Sequence, residues 1–119
     1  MKDADLQRAV FWKADLQGAD LLDADLQRAN LITAVLRAEN LVDADLQGAD
    51  LTFEDLKEAY LTDAKLSNAI VLDLDWLLKL KECEVTGYEK IIATYIVVDS
   101  GEKRLGQTMY RLQLIEDIE

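Results

Sequence analysis

A five-residue repeat is the feature of this sequence that most constrains its fold. Alanine recurs at every fifth position from Ala4 to Ala69, and glutamate replaces it at two of these positions, Glu39 and Glu54. A large apolar residue follows two positions later in every unit, and it is leucine in all units except those with Phe11 and Val71. The period holds through fourteen consecutive units, which make up more than half of the 119-residue chain.

Neither regular secondary structure suits this period. An α-helix repeats about every 3.6 residues and a β-strand every two, whereas a longer fixed period is typical of stacked repeat architectures. Around a helix, a strict five-residue period would rotate the apolar stripe by about 140° per unit, so that no face would stay apolar. We therefore reject a helix for residues 4–73, although Ala, Leu and Gln have favourable helix propensities.

The individual units resemble a known family. Residues 14–18 (ADLQG) and 29–33 (ANLIT) match the A(D/N)LXX pattern of pentapeptide-repeat proteins. The resemblance implies a mainly β fold, the right-handed quadrilateral β-helix, with one unit per side and four units per coil. It also implies that alanine and leucine point inward and that the other three positions point outward. Residues 4–73 would form about three and a half coils, followed by a small α+β cap at the C-terminus.

The family resemblance leaves the function open, because one fold hosts many activities. Pentapeptide-repeat proteins include DNA mimics that inhibit gyrase, regulators of cell differentiation and many proteins of unknown role. Because the known members are concentrated in cyanobacteria, a cyanobacterial origin is the expectation for this chain.

The composition argues against catalysis. The chain has no histidine, which is the commonest general base and metal ligand, and its single cysteine, Cys83, cannot form an internal disulfide or a thiolate zinc site. It also lacks a glycine-rich phosphate loop and a nucleophile beside a base. We therefore predict that the protein is not an enzyme and that it binds neither a metal nor a cofactor.

Charge and hydropathy restrict the partners and the location. The net charge of −11 should repel phosphate backbones and anionic membranes, so we expect no direct binding to nucleic acid or to a membrane. No stretch approaches the roughly 18 apolar residues of a membrane span. Residues 1–4 show no apolar run behind a basic start, as a signal peptide would require. We therefore expect a cytoplasmic protein.

The second face of the implied solenoid is unusually apolar. In four-unit coils, residues twenty apart stack, and this face comprises residues 9–13, 29–33, 49–53 and 69–73. Its predicted contact residues are Trp12, Ile32, Phe53 and Leu72, with Val10 and Ile70 beside them. Exposed apolar patches usually mark contacts. Two explanations are open, since either the C-terminal tail folds back on this face or a partner or second subunit docks there.

Carboxylates form two stacked columns on the other faces. The first-face column contains Asp5, Asp25 and Asp45, and the fourth-face column contains Asp23, Asp43 and Asp63. In one interpretation these are solvated faces whose carboxylates accept hydrogen bonds at the corners of the coil. In the other they form a DNA-like array of charge, although the stack would be only about 15 Å tall at a strand spacing of about 4.8 Å.

Two units break the pattern at an inward position. Glu39 and Glu54 stand where alanine should point into the core. A buried carboxylate is costly unless it is paired or protonated. Either the coil bulges locally and the glutamate reaches water, or each glutamate is buried with partners. We expect the bulge at both positions.

The repeat ends at Asp73, and residues 74–119 form a tail of different character. Apolar spacing predicts a helix over about 74–83 and a second, short helix over about 87–93, with Thr86 as a candidate N-cap. We predict strands at residues 95–98 (YIVV) and 108–115 and a turn at residues 99–101 (DSG). We expect Lys103 and Arg104 to be solvated.

The tail has a physical reason to follow the repeat. The last coil of a solenoid exposes open backbone edges and the ends of its leucines, which need a cap. A Leu/Trp-rich helix directly after the last unit is well placed to cover them. The tail is also similar to extensions that follow the repeats in some cyanobacterial proteins, at Trp76, Leu77, Gly87 and Tyr95.

The leading functional prediction is a non-catalytic protein–protein interaction module or scaffold, with Trp12 as the anchor of a buried apolar stripe. One alternative is an acidic DNA mimic that inhibits DNA gyrase or another topoisomerase, and another is a purely structural subunit. The protein partner is not identified by the sequence. We also expect a homodimer, formed through the uncapped first coil, the second face or the tail.

Overall fold

The computed structural model describes residues 2–118, and the repeat folds into the predicted β-solenoid. Paired residues are twenty positions apart and parallel, as in the series Asp5–Asp25, Asp25–Asp45 and Asp45–Lys65. The Asp45 N–H donates to the carbonyl of Ala24 at 2.9 Å, and the Leu26 N–H donates to the carbonyl of Asp45 at 2.7 Å. Stacked units therefore satisfy one another's backbone groups, as neighbouring repeats do in other solenoids.

The corner of each unit explains why aspartate or asparagine follows the alanine. The last residue of each unit except the final one is left-handed, with φ between 55° and 64° at its non-glycine positions, a conformation that costs most side chains about 1–2 kcal/mol. The acidic or amide side chain supports this turn by accepting the N–H two residues further on. Asp25 Oδ1 accepts the Gln27 N–H at 3.2 Å, and Asn30 Oδ1 accepts the Ile32 N–H at 3.1 Å.

The core is a column of inward leucines. Those from Leu21 to Leu66 are at most 4% exposed, and burial of each such side chain contributes about 2 kcal/mol. The alanines between them let the backbone turn tightly, as where the Ala24 N–H donates to the carbonyl of Leu21 at 3.0 Å. In the first coil, Leu6 and Phe11 are only partly buried.

Glu39 does not bulge outward, so the prediction made for it is wrong. Its side chain is completely buried, and its N–H donates to the carbonyl of Leu36 at 3.1 Å, as the alanine of other units does. The carboxyl remains inside because Oε1 accepts the Asn40 N–H at 3.1 Å. Burial raises the pKa of Glu39 to about 7. Regular stacking of the backbone therefore prevails over hydration of this one carboxyl.

Glu54 does not bulge either, which overturns the second half of that prediction. The next residue, Asp55, keeps its parallel pairing with Val35. Glu54 is half-buried, and its Oε1 accepts the indole N–H of Trp76 at 3.2 Å. Burial raises the pKa of Glu54 to about 8. The partner of this inward carboxyl is thus supplied by the tail and not by the repeat.

Two short helices open the tail, close to where the sequence predicts them. Helix α1 spans Trp76–Glu82 and helix α2 spans Tyr88–Thr94. Thr86 is not the N-cap of α2, which is Gly87 with φ of 92°. Thr86 instead pairs with Tyr60 of the last complete turn of the solenoid, and its backbone position is set by that pairing. No helix within residues 2–118 is long and apolar enough to span a membrane.

A three-stranded antiparallel sheet links the tail to the solenoid. Strand β1 spans Ile70–Val71 in the last unit, β2 spans Tyr95–Arg104 and β3 spans Gln107–Leu114, in the order β1-β3-β2. Ile70 pairs with Arg111, so the last unit of the repeat shares its edge with β3. A short 3-10 helix, Ile115–Asp117, follows.

The predicted turn at residues 99–101 is wrong, because these residues lie within β2. The strand pairs at Asp99 with Tyr110, shifts register, and pairs again at Lys103 with Thr108. The polar side chains stabilise this bulge, since Ser100 Oγ donates to the carbonyl of Met109 at 2.6 Å. The hairpin turns instead at residues 105–106, which adds six residues to the predicted strand.

The tail provides hydrogen-bond partners for the open edge of the last units. The Leu66 N–H donates to the hydroxyl oxygen of Tyr95 at 3.0 Å, and the Asn68 N–H donates to the carbonyl of Leu112 at 2.7 Å. The apolar residues that pack on the leucine column from this side are Trp76, Leu80, Val85, Ile91, Tyr95 and Leu112. These contacts place α1, α2 and the sheet against the end of the solenoid.

Candidate functional site

Two large apolar side chains of the second face are exposed side by side in the first coil. Val10 is 72% exposed and Trp12 is 57% exposed, which is unusual for large apolar side chains on a regular backbone. The Lys13 Nζ lies 4.5 Å from the centroid of the Trp12 ring, in cation–π geometry. This arrangement presents an aromatic anchor with a positive charge over one face of its ring.

The backbone beneath Trp12 is held by the next coil. The Phe11 N–H donates to the carbonyl of Asn30 at 2.7 Å, and the Lys13 N–H donates to the carbonyl of Ile32 at 3.0 Å. The Ile32 side chain lies half-buried. An anchor on such a fixed backbone loses little conformational freedom when a partner covers it.

The hairpin of the tail reaches the lower part of the second face. Arg104 Nη1 lies 2.7 Å from Asp50 Oδ2, so the expectation that Arg104 is a solvated charge is wrong, whereas Lys103 is exposed. Thr52, beside Asp50, is only 2% exposed and donates its hydroxyl to Asp50 Oδ1 at 2.8 Å. The apolar face is thus partly a contact within the chain.

The six predicted contact residues do not form one continuous stripe. Val10 and Trp12 are exposed at one end of the solenoid, and Phe53 is 66% exposed near the other end. Ile70 belongs to β1 and Leu72 follows it, and both are half-buried near the tail. The structure therefore separates a free patch, Val10 and Trp12, from residues at the junction with the tail.

The acidic columns lie where the sequence places them. On the first face, Asp5, Asp25 and Asp45 stack, and each Oδ1 accepts the N–H of the glutamine two residues later. These bonds are the corner bonds that the solvated-face interpretation expects. On the fourth face, Asp23, Asp43 and Asp63 are left-handed corner residues. Across residues 2–118, no three His, Cys, Asp or Glu side chains are grouped so that they could hold a metal ion.

Sequence reasoning missed several contacts between the repeat and the tail, among them the ion pair of Asp63 with Lys90. The Arg104–Asp50 pair has no local sequence signal, because its members are far apart in the chain. The Glu54–Trp76 hydrogen bond did have a sequence signal, because Glu54 lies twenty residues before Leu74, where the pattern has already ended. No repeat unit stacks beneath Glu54, so its carboxyl group contacts the tail.

Two solved structures show local similarity to this chain. A pentapeptide-repeat protein from the thylakoid lumen of Arabidopsis thaliana is 26% identical, with 56% of this chain and 53% of that chain covered and a TM-score of 0.33. HetL, a pentapeptide-repeat protein involved in heterocyst differentiation regulation in the cyanobacterium Nostoc sp. strain PCC 7120, is 28% identical. That match covers 54% of this chain and 40% of HetL, with a TM-score of 0.24.

The chain therefore matches about half or less of the length of these two proteins. A search of curated proteins finds no match. The model of the family described as pentapeptide repeats matches eight copies, over residues 1–37 and 40–71, which is more than half of the chain. On this match, supported by the five-residue period and the twenty-residue stacking, the chain belongs to the pentapeptide-repeat family.

Proposed function

We propose that this chain is a non-catalytic protein-interaction module whose partner docks on the patch formed by Val10 and Trp12. The observation that carries the proposal is the exposure of these two side chains, 72% and 57%, on a backbone held by the solenoid. A large aromatic side chain with a neighbouring cation is the residue type that dominates protein–protein contacts. Lys13, whose Nζ lies over the Trp12 ring, would favour an acidic group on the partner.

The patch can anchor an interface, and further contacts around it would have to complete a specific one. Full burial of a tryptophan covers about 150–250 Å². Because Trp12 is 57% exposed, about 25 cal/mol per Å² gives about 2–4 kcal/mol before the cost of association. Because the anchor is apolar, the interaction should depend only weakly on salt.

The proposal is tested by capture of a partner from native lysate with three forms of the chain. Trp12→Asp removes the anchor. Leu78→Asp is the matched control, because Leu78 is 69% exposed on α1, which lies at the opposite end of the solenoid. We expect a partner that the wild type and Leu78→Asp retain and that Trp12→Asp loses, with all three shown to be folded by circular dichroism. Equal capture by all three would refute the patch.

The finer architecture is part of the same proposal. Pairing of residues twenty apart, four units on, supports a right-handed quadrilateral helix of about three and a half coils. The hydrogen bonds of Tyr95 and Leu112 to the last units support a division into a solenoid at 4–73 and a cap at 74–119. The location in the cytoplasm stays a prediction, which a fluorescent fusion in the source cell would test.

A charge-based function is the second candidate, because Asp5, Asp25 and Asp45 stack in register on one face of a chain with a net charge of −11. In this case the protein would occupy a DNA-binding groove of a topoisomerase. Inhibition of DNA supercoiling by gyrase, lost in an Asp5→Asn/Asp25→Asn/Asp45→Asn variant and weakened strongly by salt, would support it. Asparagine keeps the corner hydrogen bond, so the variant should fold.

A homodimer is the third part of the proposal. The Val10–Trp12 patch and the partly buried Leu6 and Phe11 form an apolar end of the molecule that a second copy could cover. Sedimentation equilibrium of the wild type and of Trp12→Asp measures the oligomeric state directly. A dimer that Trp12→Asp dissociates would identify the partner as the chain itself.

A further inference from the structure

A cavity of about 300 Å³ lies where the solenoid ends and the tail begins. The repeat stops at Asp73, so no further unit stacks beneath residues 54–58, and helix α1 covers that place instead. The Glu58 N–H donates instead to the carbonyl of Cys83 at 2.7 Å. The helix closes the side of the solenoid without filling it, and the cavity is the space that remains.

The cavity combines an apolar, aromatic wall with carboxyl groups. Its apolar wall includes Phe53, Leu72, Trp76 and Leu80. Glu54, Asp55 and Asp73 bring three carboxyl groups to the lining, against one cationic side chain, Lys79. Pockets of this size, apolar with a few placed polar groups, are typical of small-ligand sites.

Two of these carboxylates and the lysine already have partners. Asp55 pairs with Arg37, and Lys79 lies 2.6 Å from Asp73. Glu54 differs, because among residues 2–118 it has no ion-pair partner, and the neutral indole of Trp76 holds its Oε1. The ionised form of Glu54 therefore lacks a counter-charge in this cavity, and a bound cation would supply one.

We propose that this cavity binds a small organic ammonium ion, whose ammonium group pairs with Glu54 and whose apolar part lies against Trp76 and Phe53. Aromatic faces attract cations, and more strongly where water is excluded. The volume corresponds to about ten non-hydrogen atoms if each takes about the 30 Å³ of a liquid water molecule. A benzylic or short alkyl amine meets both conditions. The site is separate from the Val10–Trp12 patch.

Binding should be linked to a proton, because burial raises the pKa of Glu54 to about 8. The charged groups around it are Asp55, which raises that pKa, and Lys79, which lowers it, with Asp73 and the Cys83 thiol also in the cavity wall. An ammonium ion pairs only with the ionised carboxylate, so binding releases a proton below pH 8. Affinity should rise about tenfold per pH unit between pH 6 and 7.

The test compares three probes of similar size on the full chain: benzylammonium, benzyl alcohol and benzoate. Calorimetry at pH 6, 7 and 8 measures affinity, and repetition in buffers of different ionisation enthalpy measures the proton released. Alkylation of Cys83, the single cysteine, reports occupancy of the cavity independently. We expect benzylammonium to bind at least tenfold more tightly than the other two, to bind more tightly at higher pH, and to slow alkylation.

The variant arm uses Glu54→Gln, which keeps an oxygen for the Trp76 indole N–H, with the exposed Glu82→Gln as its control. We expect Glu54→Gln to lose at least tenfold in affinity and all proton release, and Glu82→Gln to match the wild type. Trp12→Asp should bind benzylammonium normally, so loss of the docking patch and loss of this site are distinguishable.

The comparison of the three probes tests the proposal even if Glu54→Gln does not fold. Three results would overturn the proposal. They are no binding of benzylammonium at roughly 50 mM, which corresponds to only about 2 kcal/mol of binding free energy, equal binding of benzyl alcohol, and unchanged affinity in folded Glu54→Gln.

Discussion

Glu39 shows what one residue costs when the repeat holds it inside. It occupies the same inward position as Ala19 and Ala59 in the neighbouring coils and is completely buried. Among the described residues its Oε2 is without a hydrogen-bond partner. Because the pKa rises from 4.5 to about 7 on folding, the folded protein holds a proton that the unfolded chain has already released. The associated stability is fully present below pH 4.5 and is lost as the pH rises through 7.

Replacement of this residue by the alanine of the repeat should stabilise the protein at alkaline pH. We expect Glu39→Ala to raise the free energy of unfolding by about 2–3 kcal/mol at pH 8, and by much less at pH 4.5. Urea denaturation at the two pH values measures the difference. Glu89→Ala, at an exposed position in α2, serves as the control and should change stability little at either pH. Equal gains at both pH values would contradict the assigned cause.

Gly87 is required for a steric reason as well as for its backbone conformation. Its φ is 92°, and a Cβ atom there would lie 2.9 Å from the backbone of Thr62. Gly101 has a similar φ of 82° but open space around it. We expect Gly87→Ala to destabilise the protein by about 2–4 kcal/mol and Gly101→Ala by about 1 kcal/mol. Thermal unfolding of the two variants separates the effect of the close approach to Thr62 from the effect of backbone strain. Equal losses of stability in the two variants would show that the contact with Thr62 is unimportant.

At the scale of elements, the sheet of the tail joins the solenoid through its backbone. Strand β3 continues the edge of the last unit, and β2 begins with Tyr95, whose buried hydroxyl accepts the Leu66 N–H. An acceptor from outside the repeat is needed here, because no coil lies below Leu66. A side chain thus takes the place of the backbone carbonyl that a further unit would have supplied.

Tyr95→Phe should therefore leave a buried backbone donor without a partner while it preserves the ring. We expect a loss of about 1–3 kcal/mol in the free energy of unfolding. The exposed Tyr60→Phe is the matched control and should be close to neutral. Chemical denaturation checks both, and amide hydrogen exchange at Leu66 should accelerate in Tyr95→Phe alone. Unchanged protection at Leu66 would contradict the role assigned to the hydroxyl.

The whole molecule is a stack with two unlike ends. At one end Leu6 and Phe11 are partly buried and Trp12 is exposed, whereas at the other the tail packs on the leucine column. Removal of the tail should expose that second end. We expect residues 2–73 alone to aggregate or to lose cooperative unfolding, while removal of residues 115–118, which are exposed, leaves a folded protein. Size-exclusion chromatography and circular dichroism measure both, and a stable, monomeric 2–73 fragment would refute the capping role.

Much of the fold could be predicted because the repeat is visible over a few consecutive residues of the sequence. The five-residue period excludes a helix. The four-unit coil that the family resemblance implies orders every outward residue into columns, as Asp5, Asp25 and Asp45 show. The helices of the tail also followed from apolar spacing. The turn at residues 99–101 did not, because the same polar residues and glycine stabilise a bulge as readily as a hairpin turn, and only pairing with β3 distinguishes the two.

The sequence by itself determined the five-residue period, and the family resemblance of its units implied the solenoid, its inward leucines and its columns, because each unit repeats its own turn chemistry at a constant spacing. Only the tertiary structure decided where Glu39 and Glu54 point. Their position depends on whether regular stacking of the backbone outweighs hydration of the carboxyl group. It also decided that Arg104 meets Asp50 and that a cavity forms beside Trp76. These features depend on contacts between distant segments, and a local pattern carries no information about how the tail meets the end of the stack.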